Sequence, residues 1–313
     1  MTRPKVSVIG AGQVGATVAQ RIVEKDLADV VLADIIEGMP QGKALDLMEA
    51  APLKGHDASI LGTNDYALIK DSHVVVVTAG VARKPGMSRM DLLKTNAQIV
   101  KGVAEKILQY APQSILMMVT NPLDVMTSLA HQITQFPKER VMGMAGILDG
   151  ARFRYFISEK LKVSVRNVET MVLGGHGDDM VPLPRFSTVS GVPITELLKR
   201  EEIDALVTRT RNGGAEVVAL LKQGSAYYAP GASVCEMVQS VLLDEQRLLP
   251  CAALVEAEYG LQGALCGVPC RLGRKGILEI VELQLTHEEK KALSKSAESV
   301  RQGVQELSSV LSS

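Results

Sequence analysis

Short apolar runs alternate with longer stretches in which apolar residues return every third or fourth position. KVSVIG (5–10), DVVLAD (29–34), SHVVVVTAG (72–80), SILMMVTN (114–121) and RVMGMA (140–145) are continuous and rich in Val and Ile. That is the pattern of strands covered on both faces. The segments between them, QVGATVAQRIVEKDL, MPQGKALDLMEAA, SRMDLLKTNAQIVKGVAEKILQY and LDVMTSLAHQIT, have helical spacing. Strand followed by helix, repeated, requires right-handed crossovers and a doubly wound parallel sheet, which sets the fold class as α/β over residues 1–145.

The alternation changes at about residue 146, and residues 146–313 read as a second, α+β domain. ILDGARFRYFISEKL predicts a helix, VRNVETMVLGG a strand pair and MVPLPRFSTVSGVPI a β-hairpin. One long helical stretch is expected from about 202 to 243, then strands in CAALVEAEYG, GALCGVPCRL and GILEIVEL. The last helix is marked by a capping box, Thr286 with Glu289, and by a stripe of Leu293, Ala297, Val300, Val304, Leu307 and Leu311.

Composition adds exclusions. The 313 residues are 46% hydrophobic and 22% charged with a formal net charge of -1, so no electrostatic force favours nucleic acid or an anionic membrane. The first apolar run is too short for a signal peptide and no window reaches a membrane span, so a cytoplasmic protein is expected. Cys235, Cys251, Cys266 and Cys270 lack zinc-ligand spacing, which predicts no metal site and buried, reduced thiols.

GAGQVG places Gly10, Gly12 and Gly15 after a predicted strand and at the start of a predicted helix. Gly10 permits the tight turn, Gly12 leaves bare backbone for a pyrophosphate, and Gly15 lets helix and strand approach. Asp34 ends the next strand 19 residues on, where a carboxylate accepts ribose hydroxyls and repels a 2'-phosphate, favouring NAD over NADP. A mere strand-end cap is the other reading of Asp34.

Of five histidines, His176 in LGGHGDD stands apart, because glycines leave its ring accessible and imidazole exchanges protons near neutral pH. A base needs an orienting partner, and Asp149 with Arg152 share a helix face in LDGARFR. Taken alone, that pair is equally a surface ion pair. Asn121 in VTNPLD lies where ligands meet the carboxyl edge of a parallel sheet, though Asn-Pro also starts ordinary turns. The loop GVARKPGMSR holds Arg83, Lys84 and Arg89, a cluster suited to an anion or simply to solvent.

In their order and spacing along the chain, these five motifs resemble the lactate and malate dehydrogenase superfamily, and most closely its bacterial malate dehydrogenases of the lactate dehydrogenase-like subgroup. The resemblance implies an N-terminal Rossmann domain, a C-terminal catalytic domain, NAD as cofactor, and reversible oxidation of (S)-malate to oxaloacetate. It implies His176 as proton acceptor, Asp149 as its partner and Arg152 as the clamp on the carboxylate beside the reacting carbon. Arg89 falls where the family polarises the carbonyl under a closing loop, Asn121 where it binds substrate, and Arg83 where lactate enzymes carry glutamine. Gly10, Ala11, Gly12, Gln13, Val14, Gly15, Asp34, Asn96, Val119, Thr120 and Asn121 fall where it binds NAD. A homodimer or homotetramer is also implied, with GKALDLMEAAPL and APGASVCEMVQSVLL as stretches that face either a partner or the chain's own core. The rivals are a lactate or broader 2-hydroxyacid dehydrogenase and a dinucleotide-binding protein without catalysis.

If Arg83 reads the distal carboxylate, a closed loop over pyruvate leaves it buried without a partner. That costs about 3–5 kcal/mol, roughly a hundredfold to a few thousandfold in preference. Arg83→Gln is expected to move the ratio of kcat/KM for oxaloacetate and pyruvate toward pyruvate; an unchanged ratio removes Arg83 from substrate reading.

Overall fold

The computed structural model describes residues 3–81 and 88–311. Its first half runs β1 (Lys5–Ile9), α1 (Gln13–Glu24), β2 (Asp29–Ala33), α2 (Met39–Lys54), β3 (Ile60–Thr63), β4 (Val74–Val77), α3 (Arg89–Tyr110), β5 (Ile115–Met118), α4 (Leu123–Thr134) and β6 (Val141–Gly143). The strands pair side by side as β3-β2-β1-β4-β5-β6, all parallel. Alternate residues serve opposite layers: Val74 and Val76 join the α1 side with Val18 and Ile22, while Val75 and Val77 join α3 and α4 through Val100, Ile107 and Met126. This is why the runs are apolar without alternation. Gly10, Thr78 and Val119 each donate one last hydrogen bond to the neighbouring strand, and the residues after them, Ala79, Gly80, Thr120 and Asn121 among them, form loops along one edge.

The sequence reading has no counterpart for β3. Its ILGT is short and sits at the sheet's edge, with Leu61 exposed, and carries too little apolar signal. Gly62 is required there by contact: a Cβ would lie 2.2 Å from the Pro40 carbonyl oxygen at the start of α2.

The second half runs α5 (Gly146–Leu161), β7 (Val168–Glu169), β8 (Val172–Leu173), β9 (Val181–Pro182), β10 (Thr188–Val189), β11 (Val192–Pro193), α6 (Ile194–Leu197), α7 (Arg200–Leu221), α8 (Tyr228–Leu242), β12 (Arg247–Val255), β13 (Ala264–Gly273), β14 (Gly276–Ile280) and α9 (His287–Leu311). Three expectations need correction. The expected strand pair does not form, since β7 pairs with β10 and β8 with β9 in separate small sheets. The hairpin narrows to β10 and β11 around Ser190 and Gly191, both at positive φ as a tight two-residue turn requires. The long helix is two, because Lys222 and Gly224 take left-handed backbone and α8 restarts at Tyr228.

The expected second domain shares the first one's sheet. β12, β13 and β14 continue it antiparallel, giving nine strands in the order β14-β13-β12-β6-β5-β4-β1-β2-β3. α8 packs on α1 so closely that a Cβ on Gly231 would come within 2.6 Å of the Thr17 methyl. The four cysteines are buried and unpaired in disulfides. The final capping box is present, with Glu289 accepting from the Thr286 N–H and Thr286 Oγ1 from the Glu289 N–H. Among the described residues no helix is long and apolar enough to cross a membrane.

Gly174, just before the GHGDD loop, is tied to β13 by two hydrogen bonds with Gly267, at 2.9 and 3.1 Å. A Cβ on Gly267 would sit 2.3 Å from the Gly174 carbonyl oxygen, so Gly267→Ala must open this tie and is expected to cost about 1–3 kcal/mol. Gly102→Ala, on an exposed face of α3 with nothing within 4 Å, is expected to stabilise by roughly 0.5–1 kcal/mol. Urea unfolding of the two variants reads both signs.

Candidate active site

The glycine turn is built as its spacing predicts. Gly10 has φ +103° and donates to the Ala33 carbonyl, and a Cβ on it would press the Ala79 backbone at 2.6 Å. A Cβ on Gly15 would lie 1.8 Å from the Gly10 carbonyl oxygen, whereas one on Gly12 meets no protein atom within 4 Å. Gly12 caps α1 with no side-chain cap, and no acidic residue stands in the first turn, so the amides at Gln13, Val14 and Gly15 face outward beside the positive end of the helix dipole. Ala11 is buried and Gln13 exposed. These residues fit a dinucleotide's pyrophosphate.

The Asp34 carboxylate is already engaged by backbone. Its Oδ2 accepts from the Ala11 N–H at 2.6 Å and Oδ1 from the Ile36 N–H at 3.0 Å, which leaves each oxygen one further lone-pair site. Lys43, which sequence reasoning did not single out, reaches from α2 to the Ala11 carbonyl at 2.7 Å.

Asn96 is fully buried and spent on backbone. Its Oδ1 accepts from the Val81 N–H at 2.8 Å, and its Nδ2 donates to the Val81 carbonyl at 3.1 Å and the Asn121 carbonyl at 2.7 Å. One amide thus ties the backbone at Val81 to that at Asn121, three residues past the end of β5. Thr120 likewise donates to the Ala79 carbonyl at 2.7 Å. Arg83 and Lys84 lie outside the described residues; Arg89 is the first residue of α3, and its side chain is also outside them.

At the other end of the cleft, Asp149 is buried and bridges the Arg152 guanidinium and the His176 imidazole. Its Oδ2 accepts from His176 Nδ1 at 2.8 Å and its Oδ1 from Arg152 Nη1 at 3.2 Å. The i,i+3 spacing on α5 gives the second contact, and the Gly174–Gly267 tie carries the loop that gives the first. A carboxylate accepts, so the Nδ1 proton is fixed and Nε2 is the ring nitrogen left for other partners. A cleft of about 320 Å³ is lined by Val14, Val119, Asn121, Arg152, His176 and Arg211, among others. Gly213 of α7 makes room for Arg152, since a Cβ there would approach its Cδ to 3.0 Å. Neither Gly213 nor Arg211 carried a readable motif in the sequence.

Burial is the largest influence on His176 and disfavours the imidazolium; the charge and hydrogen bond of Asp149, with the charge of Asp124, outweigh it and hold the pKa above 6.5, against an opposing push from Arg152. Asp124 was present in VTNPLD but went unread. It is buried in the first turn of α4, accepts the His176 backbone N–H on Oδ2 at 2.8 Å, and burial pushes its carboxyl up to about 6.

Residues 4–143 match the family model described as lactate/malate dehydrogenase, NAD binding domain, and residues 147–310 match lactate/malate dehydrogenase, alpha/beta C-terminal domain. A malate dehydrogenase of Methanosarcina mazei is 55% identical over 303 residues, spanning 97% of this chain and 99% of its own. The crystal structure of Cryptosporidium parvum malate dehydrogenase superposes with a TM-score of 0.96 at 43% identity, over 98% of this chain and all (100%) of its own. The Cryptosporidium parvum lactate dehydrogenase, solved with lactic acid and nicotinamide adenine dinucleotide, gives 0.95 at 41% identity, over 98% and 99%.

The two glycines separate folding from ligand contact. Gly12→Ala is expected to leave stability within about 0.5 kcal/mol while NADH affinity falls roughly tenfold or more, because the added methyl occupies only ligand space. Gly15→Ala, which must displace the Gly10 carbonyl, is expected to lose both. NADH fluorescence titration beside thermal unfolding distinguishes them.

Proposed function

The chain belongs to the lactate/malate dehydrogenase family, and from that membership and the site geometry we infer that it is an NAD-dependent malate dehydrogenase interconverting (S)-malate and oxaloacetate. The observation that carries the chemistry is Asp149 bridging His176 and Arg152 on the wall of the cleft beside the glycine turn. Bound NAD supplies the acceptor for the C2 hydride of malate. The residues from Gly10 to Gly15 would hold its pyrophosphate and Asp34 its ribose, with Asn96, Val119 and Thr120 shaping the adjoining wall.

In malate oxidation His176 takes the C2 hydroxyl proton on Nε2. Asp149 holds the tautomer that leaves Nε2 basic and then stabilises the imidazolium. Arg152 pairs with the C1 carboxylate, which fixes C2 near the ring, and Asn121 offers its amide to a substrate oxygen. Arg83 takes the distal carboxylate and Arg89 the developing charge on the C2 oxygen; support for these two is the sequence resemblance. The fold itself is shared with a lactate dehydrogenase, so the choice of a diacid rests on Arg83.

A second copy of the chain is the expected partner, and the support is on α2, where Leu45 is 62% and Leu53 89% exposed. The stretch at 229–243 instead turns Val234, Met237, Val238 and Val241 into the chain's own core. We place the enzyme in the cytoplasm on composition.

His176→Asn is expected to lower turnover about 10²–10⁴-fold with NADH affinity nearly intact; equal loss of both assigns His176 to the cofactor side. The pH dependence has a definite sign. Oxidation needs the neutral ring, so with the His176 pKa raised above 6.5 its kcat/KM for malate falls as pH drops through that higher value. Oxaloacetate reduction needs the imidazolium and falls as pH rises through the same value. Asp149→Asn is expected to shift the oxidation limb to lower pH. NADH absorbance with oxaloacetate and pyruvate side by side tests the substrate.

A further inference from the structure

Asp124 is a buried carboxylate that the mechanism leaves idle. One oxygen holds the His176 backbone amide at 2.8 Å, while Oδ1 is buried and without a hydrogen-bond partner among the described residues. The approach is tight: a Cβ on Gly175 would stand 3.3 Å from Oδ2. Ser296 of α9 accepts the neighbouring Gly175 N–H at 2.8 Å. Two helices therefore grip the backbone on which the reacting ring is mounted, while α5 grips the ring.

A backbone amide asks only for an acceptor, and an asparagine or serine supplies one without burying charge. An aspartate with an orphaned oxygen costs free energy that a neutral cap avoids. What the charge adds is a field at the ring. The groups facing Asp124 are the His176 imidazole, Asp149 on α5, and the Cys266 thiol on β13, which stays neutral because burial pushes it up to about 12; Arg152 acts on the ring and on Asp149. Arg301 of α9 faces Cys266 but is committed to the Gln262 carbonyl and Glu298.

We propose that Asp124 is a positioning residue for the reaction: it anchors the His176 backbone to α4, and its charge acts together with that of Asp149 on the protonation of the ring. This rests on His176 being the proton acceptor. Since burial brings Asp124 to about 6 and His176 is held above 6.5, this carboxyl and the imidazole titrate as a coupled pair close to neutrality.

The test uses Asp124→Asn, which preserves shape and removes charge, and Asp124→Ala, which removes the anchor. With Asn, the acid limb of kcat/KM for malate should move down by roughly half a pH unit or more, with NADH binding unchanged by fluorescence. With Ala, kcat should fall at every pH. In histidine-labelled wild-type enzyme, the His176 ring resonance, identified by its loss in His176→Asn, should show a second inflection near pH 6 that vanishes in Asp124→Asn. A pH limb unmoved in the Asn variant overturns the proposal and leaves Asp124 a neutral-equivalent cap. A single inflection in the wild type overturns it even where neither variant folds. Turnover surviving in His176→Asn removes the proton-acceptor reading instead, a result that the ring titration does not depend on.

Discussion

The carboxylate of Asp149, 1% exposed, is the point on which the site is organised. A buried charge is tolerable only when it is paired and hydrogen-bonded, and here each oxygen has one partner, from a different part of the chain. Arg152 comes from the same helix, one turn on. His176 comes from a loop that is held by β13 and two other helices. The two cations also restrain each other, since the guanidinium opposes the imidazolium that Asp149 favours. The ring is thereby kept able both to take a proton and to return it.

The two ends of the cleft work by different physics. The cofactor end is mostly backbone: glycines that let a phosphate approach, the amides of α1, and polar side chains whose atoms are spent holding loops in place. Asp34, Asn96 and Thr120 all bind main-chain groups, so their contribution to a ligand begins with the shape of the wall. The substrate end is a cluster of ionised side chains. A side chain at the charged end can change without moving the sheet, whereas a change in the glycine turn moves backbone.

Continuous apolar runs made the parallel strands legible in the sequence, because burial on both faces writes a signal that any reader of hydropathy detects. Motifs fixed the glycine turn, Asp34 and the Asp149–Arg152 face for the same reason: each depends on local spacing. What stayed hidden depends on contacts between distant residues. Gly213 matters through Arg152, Gly267 through Gly174 and Asp124 through the His176 amide, and no local pattern marks them. The break between α7 and α8 was missed because apolar spacing persists on both sides of it. β3 escaped because an edge strand buries little.

The sheet that runs unbroken through both halves has a consequence for how the chain can be dissected. A fragment ending near residue 145 keeps every glycine of the nucleotide turn, yet it strips β6 of its neighbour and bares the flank of α1 that Gly231 covers. The edge exposed is short, because β6 has three residues and meets β12 only at Gly143 and Ala252, so the larger loss is the helix face. Cutting the chain there divides one sheet, since β12, β13 and β14 extend the strands that carry the glycine turn.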